Sequence, residues 1–564
     1  MSLQPPLRRI VTIASLAVAL GAGASVQAQQ RPLDLIPYPA HVTATGDTLH
    51  FGGVPVVMPA DTADSALVRL TLLGTQFLAE ALGDVPRTDS VRSHTDVHAG
   101  AKAFARTDSS PRSAPAVLLT IDPSFPDSSH EAYALVVDSA GVRITARDHA
   151  GVFYGLQTLR ELVRPDSARA ADGWSIPAAR IDDAPRFPYR GAHLDVVRHF
   201  FPVAFVERYI DLLARYKLNT FHWHLTDDQG WRIEIERYPR LTSVGSRRTE
   251  TVVGKHFDPY VGDGVPYGGY YTQEEIRQVV AYAAERYVTV IPEIEMPGHA
   301  RAALAAYPDL ACTPGPFTVA TRWGVFDDIF CPTEHTFDFL ENVLTEVMAL
   351  FPGTYIHVGG DEVPKRRWRE SDAAQAVMRR EGLANEAELQ SYFMRRIEAF
   401  LTAHGRRLIG WDEILEGGLP PEATVMSWRG TAGGIAAARA GHDVIMTPSD
   451  FLYFDHYQGD PATEPLAIGG FTPLGKVYAF EPVPDSLTAD QARHILGAQA
   501  NVWTEYIATE SQVEYMLFPR LLALAEVVWS PRASRDWESF EARLPSQLEA
   551  LDRAWVRYRK ERGR

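Results

Sequence analysis

The sequence predicts an α/β protein, a (β/α)8 TIM barrel preceded by a small α+β domain. Three observations carry this. From Tyr189 onward, eight short apolar runs ending in polar or aromatic residues are mostly separated by helical segments, the alternation that a parallel barrel requires. Before Tyr189 the texture differs, with paired β-rich runs followed by a single amphipathic stretch. Between the two, Ala184-Pro185-Arg186-Phe187-Pro188 carries two prolines that deny the chain regular pairing. The boundary divides 29–185 from 186–564.

In chain order, Arg8 and Arg9 precede a small-residue-rich apolar stretch, Ile10 to Ala24, and the small-x-small site Val26-Gln27-Ala28. This predicts a cleaved signal peptide over 1–28 and a periplasmic or secreted protein. The apolar run is short for a span and lacks a stop-transfer pattern, so no integral membrane segment is expected in the mature chain. Ala99–Pro115, rich in Ala, Ser, Arg and Pro, reads as a surface excursion. Ala132–Val137 and Val142–Ala146 flank Asp138-Ser139-Ala140-Gly141 and read as a hairpin. Gly151 to Val163, with Phe153, Leu156, Leu159 and Leu162 near helical spacing, reads as a helix.

The barrel strands are expected at Arg190–Val197, Thr220–Thr226, Thr289–Glu295, Tyr355–Gly359, Arg407–Trp411, Thr424–Trp428, Asp443–Thr447 and Leu496–Trp503. Phe205, Tyr209, Leu212, Leu213 and Tyr216 mark a helix face between the first two. Thr272 and Glu275 form a capping box ahead of Ile276, Val279, Val280 and Ala283, before the third.

Hydrophobic residues at 46% and charged residues at 22% leave material for a large core. The net charge of −16 repels nucleic acid and anionic surfaces and favours a neutral or cationic ligand. The two cysteines, Cys312 and Cys331, form no metal-like cluster and have no histidine in a nucleophile signature. Both fall in one loop-like segment, so an exported chain is expected to join them.

A barrel of this kind builds its site from the C-terminal ends of the strands. Arg198, Asp227, His299, Asp361, Glu362, Trp411, Trp428 and Glu505 sit there. These types suit a carbohydrate pocket, with indole faces for sugar rings and charged groups for hydroxyls. The sharpest feature is His357-Val358-Gly359-Gly360-Asp361-Glu362. Its glycines allow close backbone approach. Its adjacent acids cannot both ionise cheaply, so one is expected to titrate high and serve as proton donor.

With that segment, the chain resembles glycoside hydrolase family 20, the β-N-acetylhexosaminidases. The likeness rests on Arg190-Gly191-Ala192-His193-Leu194-Asp195-Val196-Val197-Arg198, Phe221-His222-Trp223-His224-Leu225-Thr226-Asp227-Asp228 and Pro292-Glu293-Ile294-Glu295-Met296-Pro297-Gly298-His299. It continues in order through Gly410-Trp411-Asp412-Glu413, Ser427-Trp428, Tyr453-Phe454-Asp455 and Gln499-Ala500-Asn501-Val502-Trp503-Thr504-Glu505. Gly151 to Leu159 resembles the end of the family's preceding domain.

The resemblance implies a retaining, exo-acting glycosidase with no cofactor and no metal. Its substrate would be an oligosaccharide or glycoconjugate ending in N-acetylglucosamine or N-acetylgalactosamine. Glu362 would be the general acid, then the base, and the substrate's 2-acetamido oxygen the nucleophile, giving an oxazolinium ion. Asp361 would hold the acetamido N–H, and Tyr453 the acetamido oxygen. Arg198, Glu505 and Asp455 would bind hydroxyls, and Trp411, Trp428 and Trp503 would wall the pocket. Asp227 and His299 would relay to the acid, while His222 and His224 fall outside the site.

Two other readings compete. His222-x-His224 with His299, His357 and Asp361 could be a metal-dependent hydrolase site, since alternate residues of a strand point the same way. The fold could also serve as a carbohydrate-binding relic, although loss of one of the two acids would be its mark.

Overall fold

The computed structural model describes residues 33–83, 116–166 and 173–560. The expected leader and the Ala99–Pro115 segment lie outside the described residues. The N-terminal sheet runs in the order His41–Gly52, Gly173–Asp183, Tyr133–Asp138, Gly141–Ala146, Ala116–Ile121, Val56–Pro59, with Arg164–Pro165 paired to Gly173–Asp183. The expected hairpin is present, Tyr133 opposite Ala146 and Asp138 opposite Gly141. Helices Ser65–Leu82 and His149–Leu162 pack on each other and on the sheet.

Eight parallel strands then close a barrel: Tyr189–Asp195, Thr220–His224, Thr289–Glu293, Tyr355–His357, Arg407–Trp411, Thr424–Ser427, Val444–Met446 and Ile495–Val502, the last pairing with the first. Each falls on an expected run, but several end early. The first stops at Asp195 because that carboxylate accepts the Val197 and Arg198 backbone N–H groups and turns the chain outward. The fourth stops at His357 because Gly359 and Gly360 both take positive φ. A Cβ on Gly359 would lie 1.7 Å from Glu295 Oε2, and one on Gly360 would lie 2.7 Å from Ile414. Only glycine lets the backbone carry Asp361 and Glu362 through so narrow a gap.

Strand alternation divides the barrel into two faces. Outward residues such as Leu194, Val290, Val425 and Ala500 join the large core under the helices, while Tyr189, Ile291, Ile409, Met426 and Ile445 fill the barrel interior. The helix opening at Gln273 carries the predicted Thr272–Glu275 capping box. Cys312 and Cys331 are joined in a disulfide. Among the described residues no helix is long and apolar enough to cross a membrane.

The N-terminal domain meets the barrel at the strands' N-terminal ends, away from the mouth. Arg190 forks onto Glu131 at 2.6 and 2.9 Å. Asp183 Oδ2 accepts from Lys217 Nζ (3.0 Å), Trp529 Nε1 (3.0 Å) and Tyr133 Oη (2.7 Å), all buried. Asp183→Ala would strand the Lys217 ammonium without its counter-ion, so denaturant unfolding is expected to report a loss of about 3–5 kcal/mol. An unchanged midpoint would remove this contact from the account of stability.

Candidate active site

The mouth of the barrel gathers residues from most of its strand ends. Asp195 Oδ2 receives Arg198 Nη1 (3.1 Å) and the Thr504 N–H (3.0 Å), tying the first strand end to the last. Arg198 also donates from Nε to Gln229 Oε1 (3.0 Å), pairs through Nη2 with Asp227 Oδ2 (2.7 Å), and lies 5.1 Å from the Trp503 ring centre. Asp227 and Asp228 sit on a tight antiparallel turn, Thr226–Asp227 against Gly230–Trp231.

His299 connects this cluster to the paired acids. Its Nδ1 lies 3.2 Å from Asp227 Oδ1 and 3.0 Å from Asp228 Oδ2. Its Nε2 faces Asp361 Oδ2 at 3.7 Å and Glu362 Oε2 at 3.6 Å. His299 and Glu362 both hold φ of +48°, the left-handed region that L residues avoid. Strain of about 1–3 kcal/mol per residue is concentrated where the two side chains meet. Burial would push the His299 pKa down, but the Asp227 carboxylate beside it holds it well above the usual range. An imidazolium therefore faces both acids.

The two acids differ in the direction opposite to the sequence-based expectation for the proton donor. Burial raises Asp361 to about 7, against the His299 charge and with Glu362 adding to the rise. The nearby His299 instead lowers Glu362, against its own burial. Exposure adds to the difference: 14% of the Asp361 side chain is accessible against 42% of Glu362. In the ligand-free pair a proton is thus favoured on Asp361 over Glu362.

Aromatic rings wall the pocket. Trp411 is buried and donates from Nε1 to Glu293 Oε1 (2.8 Å), while half-buried Trp428 donates to Glu413 Oε2 (2.9 Å). Tyr453 stacks near Trp428 (centroids 6.1 Å, 17° between planes), and Trp503 lies between Tyr453 and Trp411 at 6.4 and 5.8 Å. Tyr453 is set beside the last strand by its bridge to Asn501. Among these walls, Asp361 Oδ1, Asp455 Oδ1 and Glu505 Oε2 are buried with no protein hydrogen-bond partner. Burial, with Glu505 nearby, raises Asp455 well above its ordinary value, and burial likewise raises Glu505 against the Arg198 charge. A set of aromatic rings around unshared carboxylate oxygens is suited to a ring bearing hydroxyl and N–H donors.

All the residues expected to bind or react come together here. His222 and His224 lie beneath the pocket inside the barrel, with His193, His357 and Glu293, all buried. Sequence reasoning missed Glu413 as the Trp428 partner, Asp195 and Asp228 as anchors, and Glu293 as a centre of contacts. An inward acid among Val290, Ile291 and Pro292 was the available signal, because a buried charge demands partners.

Among the described residues, four sets of His, Asp and Glu have ligand atoms within 4.8 Å of one another, including His193–His222–Glu293 and His299–Asp361–Glu362. The first does not suit a metal. The Gln499 amide nitrogen, 3.0 Å from His222 Nδ1, donates to it, which leaves the proton on Nε2 facing Glu293 at 3.2 Å.

The glycosyl hydrolase family 20 catalytic-domain model matches residues 187–532, and the family's domain 2 model matches 33–184. The chain belongs to glycosyl hydrolase family 20. A beta-hexosaminidase of Porphyromonas gingivalis is 52% identical over 448 residues, covering 78% of this family 20 chain. The chain spans only 56% of that relative's length. One from Vibrio furnissii is 42% identical, over 72% of this chain and 66% of that protein. Among solved structures, a GH20 exo beta-N-acetylglucosaminidase of Vibrio harveyi in complex with N-acetylglucosamine superposes with a TM-score of 0.77 at 33% identity, over 94% of this chain and 78% of that one. A mutant Streptomyces plicatus beta-hexosaminidase in complex with product gives 0.76 at 32% identity, over 94% and 97%.

Proposed function

We propose that this protein is an exo-acting, retaining β-N-acetylhexosaminidase that removes terminal non-reducing N-acetylglucosamine or N-acetylgalactosamine. The observation that carries this reading is the Asp361–Glu362 pair, facing the His299 imidazolium at the end of the fourth strand, with Asp361 Oδ1 unshared. The family's relatives named above act in the same class.

Glu362, the more exposed acid, protonates the glycosidic oxygen and afterwards activates water. The 2-acetamido oxygen, aimed by Tyr453, attacks the anomeric carbon to give an oxazolinium ion. As part of the substrate it has the large effective concentration of an intramolecular reactant. Asp361 accepts the acetamido N–H and offsets the charge that develops there. Arg198, Glu505 and Asp455 bind hydroxyls, and Trp411, Trp428 and Trp503 enclose the ring and the acetamido methyl.

This mechanism explains the proton on Asp361 in the free pair. Binding brings an N–H donor to Asp361, which favours its anion, while the aglycone desolvates Glu362 and favours its acid. The proton count is unchanged. The ligand moves the proton to the group that must give it.

The test uses 4-nitrophenyl β-glycosides. N-Acetylglucosaminide and N-acetylgalactosaminide should be cleaved and the plain β-glucoside should not, with rates falling as the acetyl methyl is fluorinated and its oxygen becomes a poorer nucleophile. Equal turnover of the plain glucoside would overturn the reading.

A further inference from the structure

The charged line that ends at Glu362 does not begin at Asp227. Asp227 Oδ2 contacts His224 Nε2 at 3.1 Å, and the other ring nitrogen of His224 donates to Glu293 Oε2. Carboxylates on both sides can only accept, so His224 carries both protons. Burial alone would lower its pKa, but Glu293 leads the charges that raise it to about 10.

Glu293 Oε1 in turn accepts from Trp411 Nε1 (2.8 Å) and lies 2.8 Å from His357 Nδ1. The strand register sets this geometry, with Glu293 level with His224 on one neighbour and His357 on the other. One fully buried carboxylate thus touches both the aromatic wall and the root of the relay.

We infer that Glu293 is a positioning residue for both halves of the site, fixing the Trp411 wall directly and orienting Glu362 through His224, Asp227 and His299. This rests on the hydrolase reading above. Glu293 reaches neither pocket nor substrate. Its effect is to hold one indole and one imidazolium in a single orientation, and the acid at the end of the chain inherits that precision. In Glu293→Gln the side chain keeps its shape but offers one acceptor oxygen and a new donor. Trp411 and His224 then compete for the oxygen, and one is left facing an N–H.

The experiment measures the full chain and Glu293→Gln on a 4-nitrophenyl N-acetylglucosaminide and on a chitooligosaccharide, with thermal unfolding in parallel. A misaimed acid harms the poor leaving group most. We expect kcat on the chitooligosaccharide to fall about 100-fold, a much smaller loss in the rate of the first-turnover phenolate burst on the aryl substrate, and a raised KM on the chitooligosaccharide from the loosened wall. Equal losses in chitooligosaccharide kcat and aryl burst rate, or both within about threefold of wild type, would overturn the inference. If Glu293→Gln does not fold, His224→Gln breaks only the arm to Asp227 and should reproduce the leaving-group dependence. Equal losses in His224→Gln, or failure of both variants to fold, would assign the cluster to stability alone and overturn the inference. An inactive wild type would instead sink the hydrolase reading.

Discussion

Glu362→Gln should fold normally and lose about 1,000- to 10,000-fold in kcat/KM on chitooligosaccharides, the upper range for removal of a general acid. The amide cannot deliver a proton to the departing sugar oxygen, whose alkoxide is too basic to leave unaided. An aryl glycoside with a stable phenolate needs no such proton, so its first step should survive largely intact. Its second step should not, because the same residue activates water. The expected signature is a burst of phenolate followed by slow turnover. Equal loss on the two leaving groups, or near-wild-type activity on chitooligosaccharides, would remove Glu362 from the role. The mobility this role demands is consistent with its exposure, since Glu362 is the more accessible acid and is held near His299 rather than locked to it.

Asp361→Asn should cost about 100- to 1,000-fold in kcat with a much smaller change in KM, because the charge it offsets develops after binding. It should also change the pH profile. In the free protein Asp361 loses its proton around pH 7, under burial and the nearby Glu362, with His299 opposing. The reaction needs the single proton that the pair carries, so wild-type kcat/KM should decline as pH rises through that value. The decline in kcat should come at higher pH, because the aglycone desolvates Glu362 and favours its acid. In the asparagine variant only Glu362, which His299 holds low, can carry that proton, so the basic limb should move to lower pH. An effect confined to KM, or a limb unchanged in the variant, would contradict the proposed role of Asp361.

The barrel was legible because its strands are short, apolar and spaced by amphipathic helices, and all eight fall on the runs read from the sequence. Their ends were less so. Asp195 stops its strand by capping two N–H groups, a choice that depends on where its side chain lands and not on local propensity. The site residues were legible through ordered motifs at strand ends, since a barrel sends those positions to one face. Glu293 and Glu413 stood within the quoted motifs, yet nothing local distinguishes a buried anchor from a neighbour that binds substrate.

What the sequence determined by itself was the set of groups, two adjacent acids behind two glycines, an arginine, a histidine and the tryptophans, together with their common end of the barrel. Chain order and strand period suffice for that. Only the tertiary structure decided which of the two acids is the more buried, that His299 faces both of them, and that a buried carboxylate links the aromatic wall to the relay. Those properties arise from burial and from distances of a few ångströms between residues remote in sequence. Electrostatic energies at such distances depend on the local dielectric and on every neighbouring charge, and neither is written in the order of the residues.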